Sequence, residues 1–147
     1  MMWYAVPVDD SMESGRNNMQ YSDMTAAVIA YIKAKFDSEP EFLWAKTPNN
    51  AAFRYRGNRK WFGALLMDLP GKTLGLPEPG RVDVLNLKCD PRMIGSLVDG
   101  ERYLPGYHMN KEHWISVLLD GSVPVDEIFP LIDMSYSLIS ETKKKLR

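Results

Sequence analysis

Apolar residues recur along the chain with two different spacings, and these spacings predict where helices and strands lie. Between residues 23 and 36 the apolar positions are separated by three or four residues, as on one face of an amphipathic helix. These positions are Met24, Ala27, Val28, Tyr31 and Ile32. Ser22 or Asp23 can cap the first turn, and the helix is expected to stop before Pro40, because the residue preceding a proline disfavours helical backbone.

A second spacing, in which every other residue is apolar, predicts strands. Residues 51–56 alternate in this way, with Phe53 and Tyr55 expected toward the core and the arginines toward solvent. Gly57-Asn58 predicts a tight turn, so residues 51–56 and the apolar run 61–69 form a hairpin. Further strands are predicted at VDVLNLK, with Asn86 and Lys88 on the face opposite Leu85 and Leu87, and at HWISVLLD.

The remaining segments are shorter or interrupted by proline. Residues 42–46 predict a short strand or extended segment, residues 70–81 a loop, and residues 103–110 another loop. Asp90 and Pro91 suit the start of a helix that ends near Gly100. Pro124 is expected to begin a short helical turn, and Pro130 to break that turn and open the final helix. The predicted apolar face of that helix is Leu131, Met134, Ser135, Leu138 and Thr142.

These elements predict the α+β class, with an antiparallel sheet of about five strands covered by helices. The predicted domain spans residues 21–147 as one unit, because 147 residues suffice for one ordinary core. Residues 1–20 lack any apolar period and are expected to form a loose N-terminal extension.

Composition narrows the class of protein. The chain is 45% hydrophobic and 25% charged, as in globular domains, and has no apolar run long enough for a membrane helix and no secretory signal. The single cysteine, Cys89, excludes an internal disulfide, and a cytoplasmic protein is expected. A net charge of −1 disfavours a strongly basic nucleic-acid binder, although Lys and Arg outnumber acids in residues 43–147. The oligomeric state is not predicted.

Two clusters carry candidate chemistry. The predicted hairpin tip holds Arg54, Arg56, Arg59 and Lys60, which could contact phosphates as a basic wing or simply keep an edge hairpin solvated. The second cluster contains Tyr107, His108, Lys111, His113 and Trp114. Its aromatic rings could stack on bases, line a pocket for a small anionic ligand, or fill structural positions.

Catalytic and metal sites find little support in the sequence. His108 and His113 are five residues apart, a spacing that places them on different faces of a helix and on opposite faces of a strand. Cys89 at a helix start could be a nucleophile, but a lone cysteine there is more often a packing residue. No phosphate-loop, nucleophile-elbow or zinc motif is present, so we expect no catalytic residue, no metal and no cofactor.

Four segments in order, NLKCDP, PGYHMNKEHW, VLLDG and LIDMSYSLI, together resemble the MmcQ/YjbR family over about residues 24–143. The resemblance extends to EFLWAK, NRKWFGALLMD and KTLGL. It implies a fold similar to bacterial frataxin (CyaY) and a DNA-binding role with a "double wing" arrangement. Carried over by motif, the candidate residues are Asn86, Lys88, Asp90 and Pro91, followed by Tyr107, His108, Asn110, Lys111, His113 and Trp114. The basic hairpin tip is added from charge and not from the family.

The sequence therefore supports two alternative hypotheses about function. The first is a non-enzymatic, cytoplasmic DNA-binding protein that holds phosphates with its hairpin and loop residues. The alternative is a module that binds a small anionic metabolite in a pocket around Lys88, Tyr107, His108 and Trp114.

Overall fold

The computed structural model of the protein describes residues 22–77 and 80–142. The predicted N-terminal extension and the basic C-terminal residues lie outside the described residues. The helices are α1 (Asp23–Phe36), α2 (Pro91–Leu97) and α3 (Val125–Thr142). The strands are β1 (Ala51–Arg54), β2 (Trp61–Pro70), β3 (Arg81–Lys88), β4 (Tyr103–Pro105) and β5 (Trp114–Leu118), and a short 3-10 helix, Gly71–Leu74, follows β2.

The five strands form one sheet in the order β1-β2-β3-β5-β4, and every neighbouring pair is antiparallel. This confirms the predicted α+β class and the antiparallel sheet. Of the helices described, none is long and apolar enough to cross a lipid bilayer.

The sheet has two unequal faces. All three helices contribute to an apolar core on one face, here called the helix face, where Phe53, Leu85, Leu87 and Ile115 are fully buried. The opposite face, here called the second face, has a smaller apolar cluster around Val84, at the end of the sheet where β3 begins. The alternation predicted for β3 and β5 is confirmed, because odd-numbered residues lie in the core of the helix face.

Helix α1 has the predicted bounds, and Ser22 caps it by accepting a 3.1 Å hydrogen bond from the Thr25 backbone N–H. The buried stripe is rotated relative to the prediction. It consists of Thr25, Ala26, Val28, Ile29 and Ile32. A threonine can occupy this stripe because its hydroxyl donates a 2.9 Å hydrogen bond to Asp83.

Helix α3 corrects the prediction for Pro130. The chain forms one helix from Val125 to Thr142 with Pro130 inside it. Pro130 and Asp126, whose carbonyl loses its helical partner to the proline, are both exposed, so water can satisfy that carbonyl. The buried face is Ile128, Ile132, Ser135 and Ile139, which differs from the predicted face in all but Ser135.

Two further predictions are corrected in the segments that connect elements. Residues 103–105, predicted as loop, form β4, because Tyr103 and Leu104 are buried and pair with β5. Three residues ending in proline are too few for a visible alternation. Of the two alternatives predicted for segment 42–46, the strand is not formed, and an isolated bridge between Glu41 and Ala52 extends the sheet just before it. Helix α2 begins as predicted but ends at Leu97.

Candidate nucleic-acid interface

The strand order places the two predicted clusters at the same end of the sheet. The β1–β2 connection, residues 55–60, and the β4–β5 connection, residues 106–113, both lie at the end where β3 finishes at Lys88. This end is called the wing end below. Strands β2 and β5 are separated only by β3, so the two connections are about 10 Å apart at the spacing of neighbouring strands.

The β1–β2 connection is longer than the two-residue turn predicted at Gly57-Asn58. Tyr55 donates its backbone N–H to Lys60 and Arg59 donates to Tyr55, both at 2.8 Å. Asn58 donates a 2.9 Å side-chain hydrogen bond to the Ile139 carbonyl, so the turn is attached to the end of α3.

The four cations predicted at this tip have different surroundings. Arg54 bonds Glu41 at 3.0 Å and donates to the Arg59 carbonyl, so part of its charge is neutralised locally. Arg56, with 80% of its side chain exposed, lies 3.4 Å from Asp37. Arg59 and Lys60 are exposed and form no ion pair with any residue of the described ranges. The last two are therefore the cations most available to a polyanion.

The β4–β5 connection has its shape fixed by hydrogen bonds of its own residues. A Cβ on Gly106 would lie 2.7 Å from the Trp114 Cβ, so only glycine fits where the chain passes β5. The Lys111 ammonium donates to the Gly106 carbonyl at 2.9 Å, and Asn110 accepts from the Glu112 N–H at 2.8 Å. Both Lys111 and Asn110, predicted as contact residues, thus also shape this loop.

Asn86 is a buried support for the same loop, only 1% exposed. Its side-chain amide donates a 2.9 Å hydrogen bond to the Tyr107 carbonyl and accepts a short one from the Ser116 hydroxyl. Ser116 in turn accepts a 2.8 Å bond from the Tyr107 N–H. Asn86 therefore positions Tyr107 and offers no surface to a ligand.

Tyr107 and the two histidines complete this loop. The rings of Tyr107 and His108 lie 4.0 Å apart, and His108 is exposed with a left-handed φ of 61°. His113 is partly buried, and its carbonyl accepts a 2.8 Å bond from the Cys89 N–H. Among the residues that the structure describes, no group of His, Cys, Asp and Glu could hold a metal ion.

Cations and tryptophans alternate along one row of the second face at the wing end. Arg54 pairs with Trp61 across β1 and β2, and Lys88 pairs with Trp114 across β3 and β5. The register shifts between Phe53 and Arg54, which places Phe62 in the core of the helix face and leaves Trp61 on the second face.

Two members of this group, Trp44 and Trp61, were not predicted from the sequence. Trp44 lies edge-on to Trp61 with ring centroids 5.5 Å apart, which adds the loop before β1 to the row. The presence of tryptophan in both EFLWAK and NRKWFGALL was the available signal. It could not be used without the pairing of the strands.

Charge is distributed unequally between the two ends of the sheet, despite a net charge of only −1. The cations in segments 54–60, 88–92 and 106–113, all at the wing end, are Arg54, Arg56, Arg59, Lys60, Lys88, Arg92 and Lys111, against Asp90 and Glu112 as acids. The acids at the opposite end include Asp68, Asp83, Asp99, Glu101 and Asp120, against Lys72, Arg81 and Arg102. The wing end is therefore the more positive one, even with Asp37 and Glu41 paired to its arginines.

Cys89, considered from sequence as a nucleophile, is fully buried between β3 and α2. Burial raises the pKa of its thiol, and the neighbouring charge of Asp90 adds to that rise. The hydrogen bonds from Arg92 lower the pKa of Asp90 to about 2, so Asp90 is an anionic helix cap. A buried thiol with a raised pKa is a poor nucleophile.

Two cavities lie at the other end of the sheet. One, of about 290 Å³, is lined by Ser96, Leu97, Asp99, Arg102, Tyr103, Glu127 and Leu131. The second, of about 210 Å³, is lined by Ser22, Asp68, Arg81, Val82, Asp83, Leu119 and Asp120. Neither lining includes a residue of the pocket predicted around Lys88, Tyr107, His108 and Trp114.

Comparison with known proteins adds the family. The sequence model of the YjbR family matches residues 33–138. The chain belongs to the YjbR family. This confirms the resemblance seen in the sequence, and the match contains every candidate residue of the wing end.

This YjbR-family chain is similar to a curated relative in sequence and to solved structures of other proteins in fold. Uncharacterized protein YyaQ of Bacillus subtilis is 45% identical over 111 residues, which is 76% of this chain and 93% of YyaQ. A crystal structure of a Pseudomonas syringae protein has a TM-score of 0.73 and 42% identity, and the match covers 78% of this chain and 97% of that one. A Deinococcus radiodurans protein is similar at a TM-score of 0.55 and 26% identity, over 75% and 76% of the two chains.

Proposed function

We propose that this protein binds DNA without catalysing a reaction, and that the two hairpin connections of the wing end contact the phosphate backbone. The observation that carries the proposal is the strand order. It places residues 55–60 and 106–113 on either side of the end of β3, about 10 Å apart. Two neighbouring loops with cations between them match the wing arrangement that the family resemblance implies.

The distribution of charge supports the same surface. A net charge of −1 would disfavour DNA binding if the charges were evenly mixed, but the wing end is the more positive one. A phosphate backbone is attracted by the local surface potential, and the acids of the opposite end are farther away than a Debye length of about 8 Å at physiological salt.

The number of available cations sets the expected strength. Arg59 and Lys60 are exposed, and the ion pair of Arg56 within the described ranges is with the exposed Asp37, so few phosphates are neutralised. We expect non-specific affinity in the micromolar range or weaker that falls as salt increases. Each phosphate neutralised on duplex DNA contributes about −0.9 to the slope of log affinity against log salt.

Fluorescence-anisotropy titration of a random-sequence duplex and of a random-sequence single strand at several salt concentrations tests the proposal. The informative variants are Lys60→Gln and the double variant Arg59→Gln with Lys60→Gln, since glutamine keeps a flexible polar side chain and removes the charge. We expect the slope to become shallower by about 1 and about 2, respectively.

Lys72→Gln is the matched control, because Lys72 is an exposed lysine in the 3-10 helix at the opposite end of the sheet. It should leave both affinity and slope unchanged. Absence of binding of both a duplex and a single strand to the wild-type protein, even at low salt where the electrostatic attraction is strongest, would refute the DNA-binding proposal. Equal effects of Lys60→Gln and Lys72→Gln would show that the wing end is not the DNA-binding surface.

A further inference from the structure

The second face carries more aromatic surface at the wing end than phosphate contact requires. Trp61 and Trp114 are both partly exposed there, and Trp44 packs edge-on against Trp61. Tyr107 and the exposed His108 lie at the neighbouring loop, with rings 4.0 Å apart. The three described helices contribute their apolar residues to the core of the helix face and not to the cluster of the second face.

The positions of these rings follow from the register of the sheet. Trp61 is on β2 and Trp114 is on β5, with β3 and its Lys88 between them. The two strands that carry these rings are therefore about 10 Å apart, at the spacing of two strands. Arg54 is on β1, where it pairs with Trp61 of β2, so cations and rings alternate across the sheet.

Aromatic rings next to cations on a sheet face can bind a strand whose bases are free to stack. In a duplex the faces of the bases are covered by the neighbouring bases, whereas single-stranded bases can stack on Trp and Tyr. Stacking of this kind contributes at every base, because each base has a π-face, and the neighbouring cations hold the backbone.

We infer that the DNA bound at the wing end is single-stranded, with bases stacked on Trp61 and Trp114 and phosphates held by Arg59 and Lys60. This inference rests on the proposed function and goes further by naming the form of the DNA. The complementarity that selects a single strand is the combination of partly exposed rings with the exposed cations of residues 59 and 60. A surface that used phosphates alone would not distinguish the two forms in this way.

Three probes separate stacking from charge: an oligothymidine of about 16 nucleotides, an abasic strand of the same length, and a duplex of the same length. The abasic strand keeps the phosphates and lacks the bases. We expect the protein to bind oligothymidine at least about 5-fold more tightly than the abasic strand, since one stacked base corresponds to about 1–3 kcal/mol.

The variants are Trp61→Leu and Trp114→Leu, each with the corresponding Trp→Phe as rescue. Leucine keeps the Trp114 Cβ against which Gly106 packs, so the loop 106–113 should keep its path. Each leucine variant should weaken binding of oligothymidine about 5- to 150-fold and leave binding of the abasic strand unchanged, while phenylalanine restores most of the loss. Phe129→Leu, which removes a ring that stacks on Tyr31 among the helices, is the control and should change neither.

The outcomes distinguish this inference from the proposed function. A duplex or an abasic strand bound as tightly as oligothymidine would overturn the inference and leave DNA binding as such in place. No binding of any probe would overturn both. Thermal unfolding of each variant shows whether it is folded, and a loss with leucine that phenylalanine does not restore would also refute stacking.

Discussion

The hydroxyl of Ser135 donates a 2.6 Å hydrogen bond to the backbone carbonyl of Phe62. The same hydroxyl accepts a 2.9 Å bond from the N–H of Lys88. These two groups lie just past Gly63 and Leu87, the last residues of β2 and β3 that pair with each other at the wing end. The fully buried Ser135 on α3 therefore satisfies two backbone groups that β2 and β3 do not pair with each other, and it links the helix to the wing end of the sheet.

Ser135→Ala should destabilise the protein by about 1–3 kcal/mol for each buried backbone group that it leaves unpaired. Urea unfolding followed by circular dichroism measures this as a lower midpoint with an unchanged slope. Ser137→Ala, an exposed serine half a turn further on, should remain within about 0.5 kcal/mol of wild type. Equal effects of the two substitutions would contradict a structural role for the Ser135 hydroxyl.

Asn86→Ala should lower the free energy of unfolding by about 1–3 kcal/mol, because the Tyr107 carbonyl and the Ser116 hydroxyl lose a buried partner. Hydrogen exchange of the Tyr107 and Met109 amides should become faster, since both hold the 106–113 loop in place. The salt dependence of DNA binding should keep its slope, because Asn86 carries no charge and is buried. Unchanged stability with altered slope would make Asn86 a contact residue instead.

Asp99 should make stability depend on acid. Its carboxylate accepts backbone hydrogen bonds from Arg102, Glu101 and Tyr103, which hold its pKa well below its usual range. The unfolded chain therefore takes up this proton first, near pH 4, so the stabilisation is present above that pH and is lost as the pH falls below it. Urea unfolding between pH 7 and pH 2 should show the difference between wild type and Asp99→Ala shrinking with acid.

Glu101→Ala is the control for Asp99, because it removes a carboxylate from the same turn but no side-chain hydrogen bond found in the described part of the chain. Its effect on stability should be small at every pH. A difference between wild type and Asp99→Ala that stays constant down to pH 2 would show that the lost carboxylate was not responsible.

Cys89 should resist thiol reagents in the folded protein. It is fully buried and burial raises the pKa of its thiol, so reaction requires local or global opening. Its rate with an aromatic disulfide reagent at pH 8 should be lower by about three or more orders of magnitude than in urea-unfolded protein, given typical unfolded fractions. A reaction rate of Cys89 in the folded protein close to that in the unfolded protein would support the hypothesis that Cys89 is a nucleophile.

The sequence predicted well those elements whose signal is local. The bounds of α1, the Asp90 cap of α2 and the alternation of β3 and β5 were all correct, since caps and periods depend on neighbours in the chain. It failed at Pro130 and at residues 103–105. Pro130 is tolerated in α3 because it lies on the exposed side of the helix, and burial of the opposite face outweighs one lost hydrogen bond. Strand β4 forms because it pairs with β5.

For the candidate site residues, too, the sequence shows the residue type but not its contacts in the folded protein. From the sequence, Asn86, Lys111, Arg54 and Arg59 are equally plausible contacts. In the structure Asn86 is buried under Tyr107, Lys111 donates to the Gly106 carbonyl and Arg54 is paired with Glu41. Among these four, the exposed Arg59 alone makes no side-chain bond within the described ranges. The sequence could not show which polar groups were already satisfied.

The sequence by itself determined the fold class, the family and the side-chain types available at each strand end, because helix and strand periods and motif order are properties of neighbouring residues. The tertiary structure decided that the two clusters share one end of the sheet and that Trp61 joins Trp114 on the second face. Strand order and a register shift depend on pairings between distant residues, and those are set by how the whole core packs.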